Sequence, residues 1–192
     1  MEVLEAAVRV RRRDRPGVAG AAVRPAVGAG FAVAGAADAH AAIDAGAMEL
    51  HLSRVDVTGM LEAVAEKLTP SIDSRDLTLN VEVGSDVASF VADPVRVEQI
   101  LSNLLTNAIG FSETGSTIRM GAKRTGSTIQ FWVSDSGRGI EPEFQKQAFE
   151  RFQSRPVPGG HRGPGLGLAI VKRIVELHGS TVKATSRVNE GA

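Results

Sequence analysis

The sequence predicts a folded α/β domain from about residue 42 onward, and three observations predict it. Apolar residues recur at helical spacing over residues 57–68 and 94–111, which indicates two amphipathic helices. Apolar and polar residues alternate over 77–83, which is typical of a half-buried strand. Two further strand-like segments, 117–125 and 127–134, meet at Thr125-Gly126, which indicates a hairpin. Helices and strands therefore share one domain, which is long enough to bury a core.

The remaining elements follow from local signals in chain order. Phe90-Val91 predicts a short strand. Asp93 and Pro94 suit the N-cap and first position of the helix that follows, whose apolar stripe is Val97, Ile100, Leu101, Leu104, Leu105 and Ala108. Residues 141–152 predict short helical turns, 155–164 a mobile loop, 166–178 a helix that ends at Gly179, and 181–187 a last strand.

The first 41 residues have a different composition, because alanine, glycine, valine and arginine dominate them. An uncharged run over 25–37 is too short for a transmembrane helix, which needs about 20 apolar residues. A signal peptide is an alternative, but Pro25 and the glycines of this run would break its helix. We expect an Ala/Arg-rich tail without regular order at 1–41.

Composition excludes several classes of function. The 192 residues hold 22 Lys and Arg against 22 Asp and Glu, so net charge gives no reason to expect nucleic acid as a partner. The absence of cysteine excludes disulfides, cysteine-ligated metals and thiol catalysis.

The first motif with chemical meaning lies on the second helix. Asn103 and Asn107 are four residues apart, so they share one helical face clear of the apolar stripe. Amide oxygens suit a hard cation such as Mg²⁺ that also holds phosphate oxygens. Taken alone, such a pair more often faces solvent or caps the helix.

The second motif is Asp135-Ser136-Gly137-Arg138-Gly139, directly after a strand. An ionised Asp only accepts hydrogen bonds, so it selects the exocyclic amine of adenine over a carbonyl. The glycines let the backbone turn and approach a flat ring. An ordinary turn after a strand has the same pattern.

The third motif is a glycine-rich loop that leads into a helix and spans residues 163–170. Backbone N–H groups at a helix N-terminus form an anion site, and glycine permits close approach of phosphates. A flexible hinge is the alternative. The chain contains no P-loop pattern, and the order of elements does not fit a dinucleotide site.

In their order and spacing, these motifs resemble the N, G1 and G2 boxes of the GHKL ATP-binding superfamily, and Phe149-Glu150-Arg151-Phe152 resembles the F box of sensor histidine kinases. The resemblance covers residues 42–187. It implies an α+β fold, a two-layer Bergerat-type sandwich with a mixed sheet against helices and a mobile ATP lid. It divides the chain into the tail at 1–41, a remnant of a dimerisation helix and linker at 42–56, and an ATP-binding domain at 57–192.

The resemblance also implies roles for individual residues. Asn107 would hold Mg²⁺, Asn103 would contact the phosphates as the catalytic residue, and Asp135 would bind the adenine amine. The other residues implied in ATP binding are Gly137, Gly139, Phe152, Gly163, Gly165, Leu166, Gly167 and Leu168.

One position separates activities within the superfamily. ATP-hydrolysing members and anti-sigma-factor serine kinases usually carry Glu, as a general base, where this chain has Asn103. A neutral histidine needs no base to attack a phosphoryl group, because its ring nitrogen has a free lone pair. The sequence therefore favours phosphoryl transfer to histidine over hydrolysis.

Four departures from the family pattern limit this interpretation. No phosphoacceptor box surrounds any of the four histidines. Gly110 stands where Lys, Arg or His is common, and Pro164 stands where Ser or Thr is common and removes one N–H donor. The family's closing strand is missing after Ala192, which predicts an unpaired sheet edge.

We therefore expect the catalytic domain of a two-component histidine kinase, cytoplasmic and without a transmembrane segment in this chain. Its cofactors would be ATP and Mg²⁺, and its partners a histidine-containing domain of another chain and a downstream response regulator. The alternatives are a nucleotide-binding or pseudokinase module that regulates a partner kinase, and a serine kinase of the anti-sigma type.

Overall fold

A computed structural model describes residues 8–11, 49–126, 128–145, 147–150, 166–186 and 191–192. The helices are α1 (Val57–Asp73), α2 (Pro94–Phe111), α3 (Pro142–Gln145) and α4 (Gly167–Leu177). The strands are β1 (Val8–Arg11), β2 (Ser53–Asp56), β3 (Thr78–Val83), β4 (Ser89–Ala92), β5 (Thr117–Thr125) and β6 (Thr128–Ser134). The helices and strands predicted between residues 57 and 134 are confirmed, with α1 five residues longer at its C-terminus.

Four strands form a mixed sheet in the order β1-β6-β5-β3. β5 and β6 are the predicted antiparallel hairpin, β1 pairs antiparallel with β6, and β3 runs parallel to β5. β2 and β4 form a separate antiparallel ribbon. The parallel pair is possible because α2 lies in the connection between β3 and β5.

The core lies between one face of this sheet and the helices. The inward residues of the central strands are buried, namely Ile118, Met120, Ala122, Ile129, Phe131 and Val133. The predicted stripe of α2 is buried against them in full, from Val97 to Ala108. Phe90 extends this core from the ribbon, with its ring centroid 5.1 Å from that of Phe131. The helical period of α2 therefore fixes which of its faces remains available for polar residues.

The two ends of α2 are held by side chains. Asp93 is the predicted N-cap, since its carboxylate accepts from the N–H of Arg96 at 3.1 Å and from that of His51 at 2.9 Å. His178 at the end of α4 accepts from the N–H of Asp93 at 3.2 Å. Asp93 thereby joins the chain before β2, the start of α2 and the end of α4.

Two expectations about the sheet edge are wrong. Of the strand predicted at 181–187, residues 181–186 form no strand, and the carbonyl of Ser186 accepts from the Gln145 side chain rather than from a neighbouring strand; residue 187 lies outside the described residues. The edge of β6 is not left unpaired, because β1 covers it in the register Val8 to Phe131. Four residues of the predicted tail therefore belong to the sheet.

The chain divides into two compact units, residues 1–12 with 50–192, and residues 13–49. The second unit lies outside the described residues except for Glu49, so the predicted divisions at 41 and 56 stay predictions. None of the described helices is both long and apolar enough to cross a membrane.

Candidate functional site

Asp135 lies at the end of β6, where the strand passes into the glycine loop. Only 8% of its surface is exposed, and its Oδ1 accepts from the N–H of Gly137 at 2.8 Å. Burial raises the pKa of Asp135 to about 6, while hydrogen bonds from the N–H groups of Gly137 and Ala192 act in the opposite direction. At neutral pH the site therefore presents a buried carboxylate that can only accept hydrogen bonds.

Gly137 brings this loop against the end of α2. A Cβ atom at residue 137 would overlap with the carbonyl oxygen of Phe111 and would lie 3.0 Å from Oδ1 of Asp135. Gly139 has a φ of 67°, a conformation that other residues rarely adopt. The two glycines are therefore required by the backbone path, as the motif predicts.

Asn103 and Asn107 are half-buried and share one face of α2, clear of its core stripe, as predicted. A Cβ atom at Gly167 would lie 3.8 Å from Oδ1 of Asn103 and 3.9 Å from Nδ2 of Asn107. The asparagine pair therefore meets the first residue of α4, although some 60 residues separate them in sequence.

The start of α4 is the predicted anion site. Leu166 is buried and accepts from the N–H of Ile170 at 3.0 Å, while Gly167 and Leu168 begin the helix. The first N–H groups of a helix have no partner within it, and the helix dipole places partial positive charge there. The predicted residues Phe152, Gly163 and Gly165 lie outside the described part of the chain, as does Pro164.

The polar groups where α2 meets α4 have the chemistry that suits a magnesium-bound phosphate chain. Nδ2 of Asn103 is buried and finds no hydrogen-bond partner among the described residues, and this donor suits a phosphate oxygen. Within the same residues, no group of three or more His, Asp or Glu side chains could hold a metal ion. A Mg²⁺ ion here would therefore rely on the Asn107 amide and on ligand phosphates, which is a common arrangement for this ion.

Two residues that sequence reasoning missed adjoin the site. Phe111 follows Asn103 and Asn107 by steps of four, so it continues their face of α2, and 42% of its surface is exposed. The Arg138 guanidinium lies over its ring, 5.2 Å from the centroid. The position of Phe111 on this face could have been predicted from its spacing in the sequence. The position of Arg138 could not, because it depends on the path of the loop.

Fold and site together define a nucleotide-binding domain of the histidine kinase-like ATPase class. The family model described as "Histidine kinase-, DNA gyrase B-, and HSP90-like ATPase" matches residues 92–192, which is more than half of the chain. The chain belongs to this family, and the resemblance stated from its motifs is confirmed.

The relatives of this chain include sensor kinases. Sensor protein DivL of Caulobacter vibrioides is 36% identical over 152 residues, which are 79% of this chain and 19% of DivL. The circadian input-output histidine kinase CikA of Synechococcus elongatus is 38% identical over 143 residues, which are 73% of this chain and 19% of CikA. The chain thus spans about a fifth of the length of these relatives.

Solved structures confirm the predicted α+β sandwich. Full-length ShkA in complex with AMPPNP superposes with a TM-score of 0.72 at 32% identity, over 80% of this chain and 32% of ShkA. The mycobacterial sensor histidine kinase MprB superposes with a TM-score of 0.56 at 30% identity, over 67% of this chain and 81% of that one. This chain is a histidine kinase-like ATPase domain of the sensor kinase type.

Proposed function

We propose that this domain binds Mg·ATP and transfers the γ-phosphoryl group to a histidine of another chain. The observation that carries the proposal is that α2 contacts both of the other parts of the site: Asn103 and Asn107 lie against the start of α4 at Gly167, and Phe111 lies against Gly137 in the loop of the buried Asp135. The AMPPNP complex of ShkA supports an adenine nucleotide as the ligand.

In this proposal each residue has a binding or orienting role. Asp135 accepts a hydrogen bond from the adenine amine, Asn103 donates to a phosphate oxygen, and Asn107 holds Mg²⁺. Unpaired N–H groups at the start of α4, beside Gly167, stabilise the phosphate charge. The bound Mg²⁺ would neutralise charge on the phosphates during transfer.

The transfer step needs no base from this chain. A neutral imidazole nitrogen of the partner attacks the γ-phosphorus, and the bond from that phosphorus to the β,γ-bridging oxygen breaks. ADP leaves with the electron pair, and the proton on the other imidazole nitrogen is released to solvent. Asn103, which cannot take a proton at neutral pH, is consistent with this acceptor.

The test is titration of the protein with ATP in the presence and absence of Mg²⁺, for the wild type and Asp135→Asn. We expect micromolar binding that the substitution weakens at least about tenfold, because the new amide places a donor where the adenine amine needs an acceptor. The absence of wild-type binding below millimolar ATP would contradict the proposal.

Transfer is tested with γ-labelled ATP and a histidine-containing dimerisation domain from a sensor kinase. Acid-labile label on the histidine of the partner supports the kinase, because phosphohistidine is labile in acid. A downstream response regulator and a cytoplasmic location are parts of the same proposal, as expected for a kinase that uses ATP.

A second candidate function is a nucleotide-binding or pseudokinase module that regulates a partner kinase. Gly110 favours it, because the cation that is usual at this position is absent, and no other side chain or loop of the described residues lies within 4 Å of where its Cβ would be. Binding of nucleotide without transfer of label to the partner would support this module. Acid-stable label on a partner serine would instead support a serine kinase, against which Asn103 argues.

A further inference from the structure

Ser186 lies between two segments that adjoin Asp135, the loop that follows this residue and residues 191–192. Its side chain is 7% exposed, and its hydroxyl accepts from the N–H of Ile140 at 2.7 Å and donates to the carbonyl of Gly191 at 2.5 Å. One hydroxyl therefore joins the loop that follows Asp135 to the segment at residues 191–192.

Gln145 of α3 completes this arrangement from the opposite side. Its Nε2 donates to the carbonyl of Ile140 at 3.0 Å and also to the carbonyl of Ser186. Both backbone polar groups of Ile140 are thus held by side chains, the N–H by Ser186 and the carbonyl by Gln145. The end of the loop has little freedom to move away from the 186 segment.

Residues 191–192 are in turn bonded to the backbone of Asp135. Asp135 donates to the carbonyl of Ala192 at 2.8 Å and accepts from its N–H at 3.3 Å through the backbone. Gly191 has a φ of 97°, and a Cβ atom there would overlap with the carbonyl of Asp135. The segment therefore lies directly against the backbone of Asp135.

We infer that Ser186, together with Gln145, is a positioning residue for Asp135, which sets the direction in which that carboxylate meets the exocyclic amine of a bound purine. This inference rests on the proposed binding of an adenine nucleotide. Alanine at position 186 would leave the N–H of Ile140 and the carbonyl of Gly191 unpaired, and would free both the loop and its cover.

The experiment compares binding of ATP with binding of purine riboside triphosphate, which lacks the 6-amino group, by calorimetry. The variants are Ser186→Ala, Ser186→Thr, which retains a hydroxyl, and Ser116→Ala as a matched control. The Ser116 hydroxyl is buried but has no hydrogen-bond partner within the described ranges. Thermal unfolding of each variant is recorded in parallel.

We expect the wild type to prefer ATP and Ser186→Ala to lose about threefold to tenfold of that preference, the effect of about one hydrogen bond. Ser186→Thr should restore the preference, and Ser116→Ala should retain it. A purely structural role would lower the melting temperature without changing the ratio of the two dissociation constants, and this result would overturn the inference.

Gln145→Leu provides a second variant if Ser186→Ala does not fold, because it leaves the Ser186 hydroxyl in place. A reduced preference for ATP supports the inference, and an unchanged preference overturns it. If the wild type binds ATP but neither variant changes the preference, only this inference fails. If the wild type binds no ATP, the proposed function fails with it.

Discussion

Asp135 and Ala192 exchange two backbone hydrogen bonds, at 2.8 Å and 3.3 Å, across more than fifty residues of sequence. This pairing fixes the backbone at the end of β6, where only 8% of Asp135 is exposed. Burial of a carboxylate away from water destabilises its charged form. The same burial makes the carboxylate a selective hydrogen-bond acceptor, because little water competes with the ligand for it. The same burial therefore governs both the stability of the domain and its binding properties.

Asp135→Asn is expected to increase stability at pH 7.5. Because burial raises the pKa of Asp135 to about 6, the folded protein binds more protons than the unfolded chain between about pH 4 and 6. The free energy of unfolding of the wild type thus falls as pH rises through this window, by up to about 3 kcal/mol. Urea unfolding at pH 7.5 and 5.0 should show an advantage of the variant that shrinks at the lower pH. An equal difference at both pH values would contradict this account.

Adenosine binding should weaken as the pH falls below about 6. The adenine amine needs an ionised acceptor, and protonation of Asp135 gives the carboxyl group a donor in its place. We expect affinity to fall about tenfold per pH unit well below the pKa. Adenosine is the appropriate ligand because it carries no titrating phosphate, and Asp135→Asn, which has no carboxyl to titrate, is the reference. A parallel decline in that variant would show that another group is responsible.

The two site glycines should respond differently to alanine. The Cβ atom of Gly137→Ala would overlap with the backbone of Phe111, so we expect a loss of about 1–3 kcal/mol in the free energy of unfolding. The Cβ atom of Gly167→Ala would lie 3.8 Å from Asn103, an ordinary contact, so its stability should change by less than about 0.5 kcal/mol. Chemical denaturation of the two variants measures this contrast. Equal destabilisation by the two variants would contradict the position of the Gly137 loop against Phe111.

Gly110→Lys is expected to increase affinity for ATP. Position 110 is exposed on α2, three residues after Asn107, and it has free space for a side chain. A lysine there adds a positive charge near the phosphate end of the proposed ligand, worth about threefold to tenfold at low salt and less at high salt. Calorimetry at two salt concentrations provides the measurement.

Gly110→Ala is the control for the lysine variant. It should stabilise α2 by about 0.5–1 kcal/mol through helix propensity and leave affinity for ATP unchanged. If both variants improve binding equally, the improvement comes from the rigidity of the helix rather than from charge.

Local patterns were sufficient for much of the fold. The stripe of α2 could be read in full, because the residues that face a core repeat at the helical period whatever the partner is. The same period placed Asn103 and Asn107 correctly on one shared face, clear of this stripe. The start of α2 at Asp93-Pro94 was predictable for a similar reason, because it depends only on the capping side chain and the first turn of the helix.

The edge of the sheet was not predictable in this way. β1 contributes four residues, and it is joined to β6 by backbone hydrogen bonds, which leave no side-chain signature in the sequence. Residues 181–186 show strand-like alternation, yet they form no ladder within the described chain, and the carbonyl of Ser186 accepts from the Gln145 side chain instead. Alternation of apolar and polar residues indicates only which side chains are buried. Strand pairing depends in addition on which sheet edge is available, and the sequence pattern does not contain that information.

The sequence by itself determined the class of this domain, because its motifs specify a carboxylate after a strand, an amide pair on a helix and a glycine-rich helix start. Tertiary structure decided how these groups meet. It set Gly167 against the asparagine pair, placed Arg138 over Phe111, and covered Asp135 with a segment held by Ser186. Long-range contacts of this kind depend on the packing of whole elements, and the burial that raises the pKa of Asp135 exists only once the chain has folded.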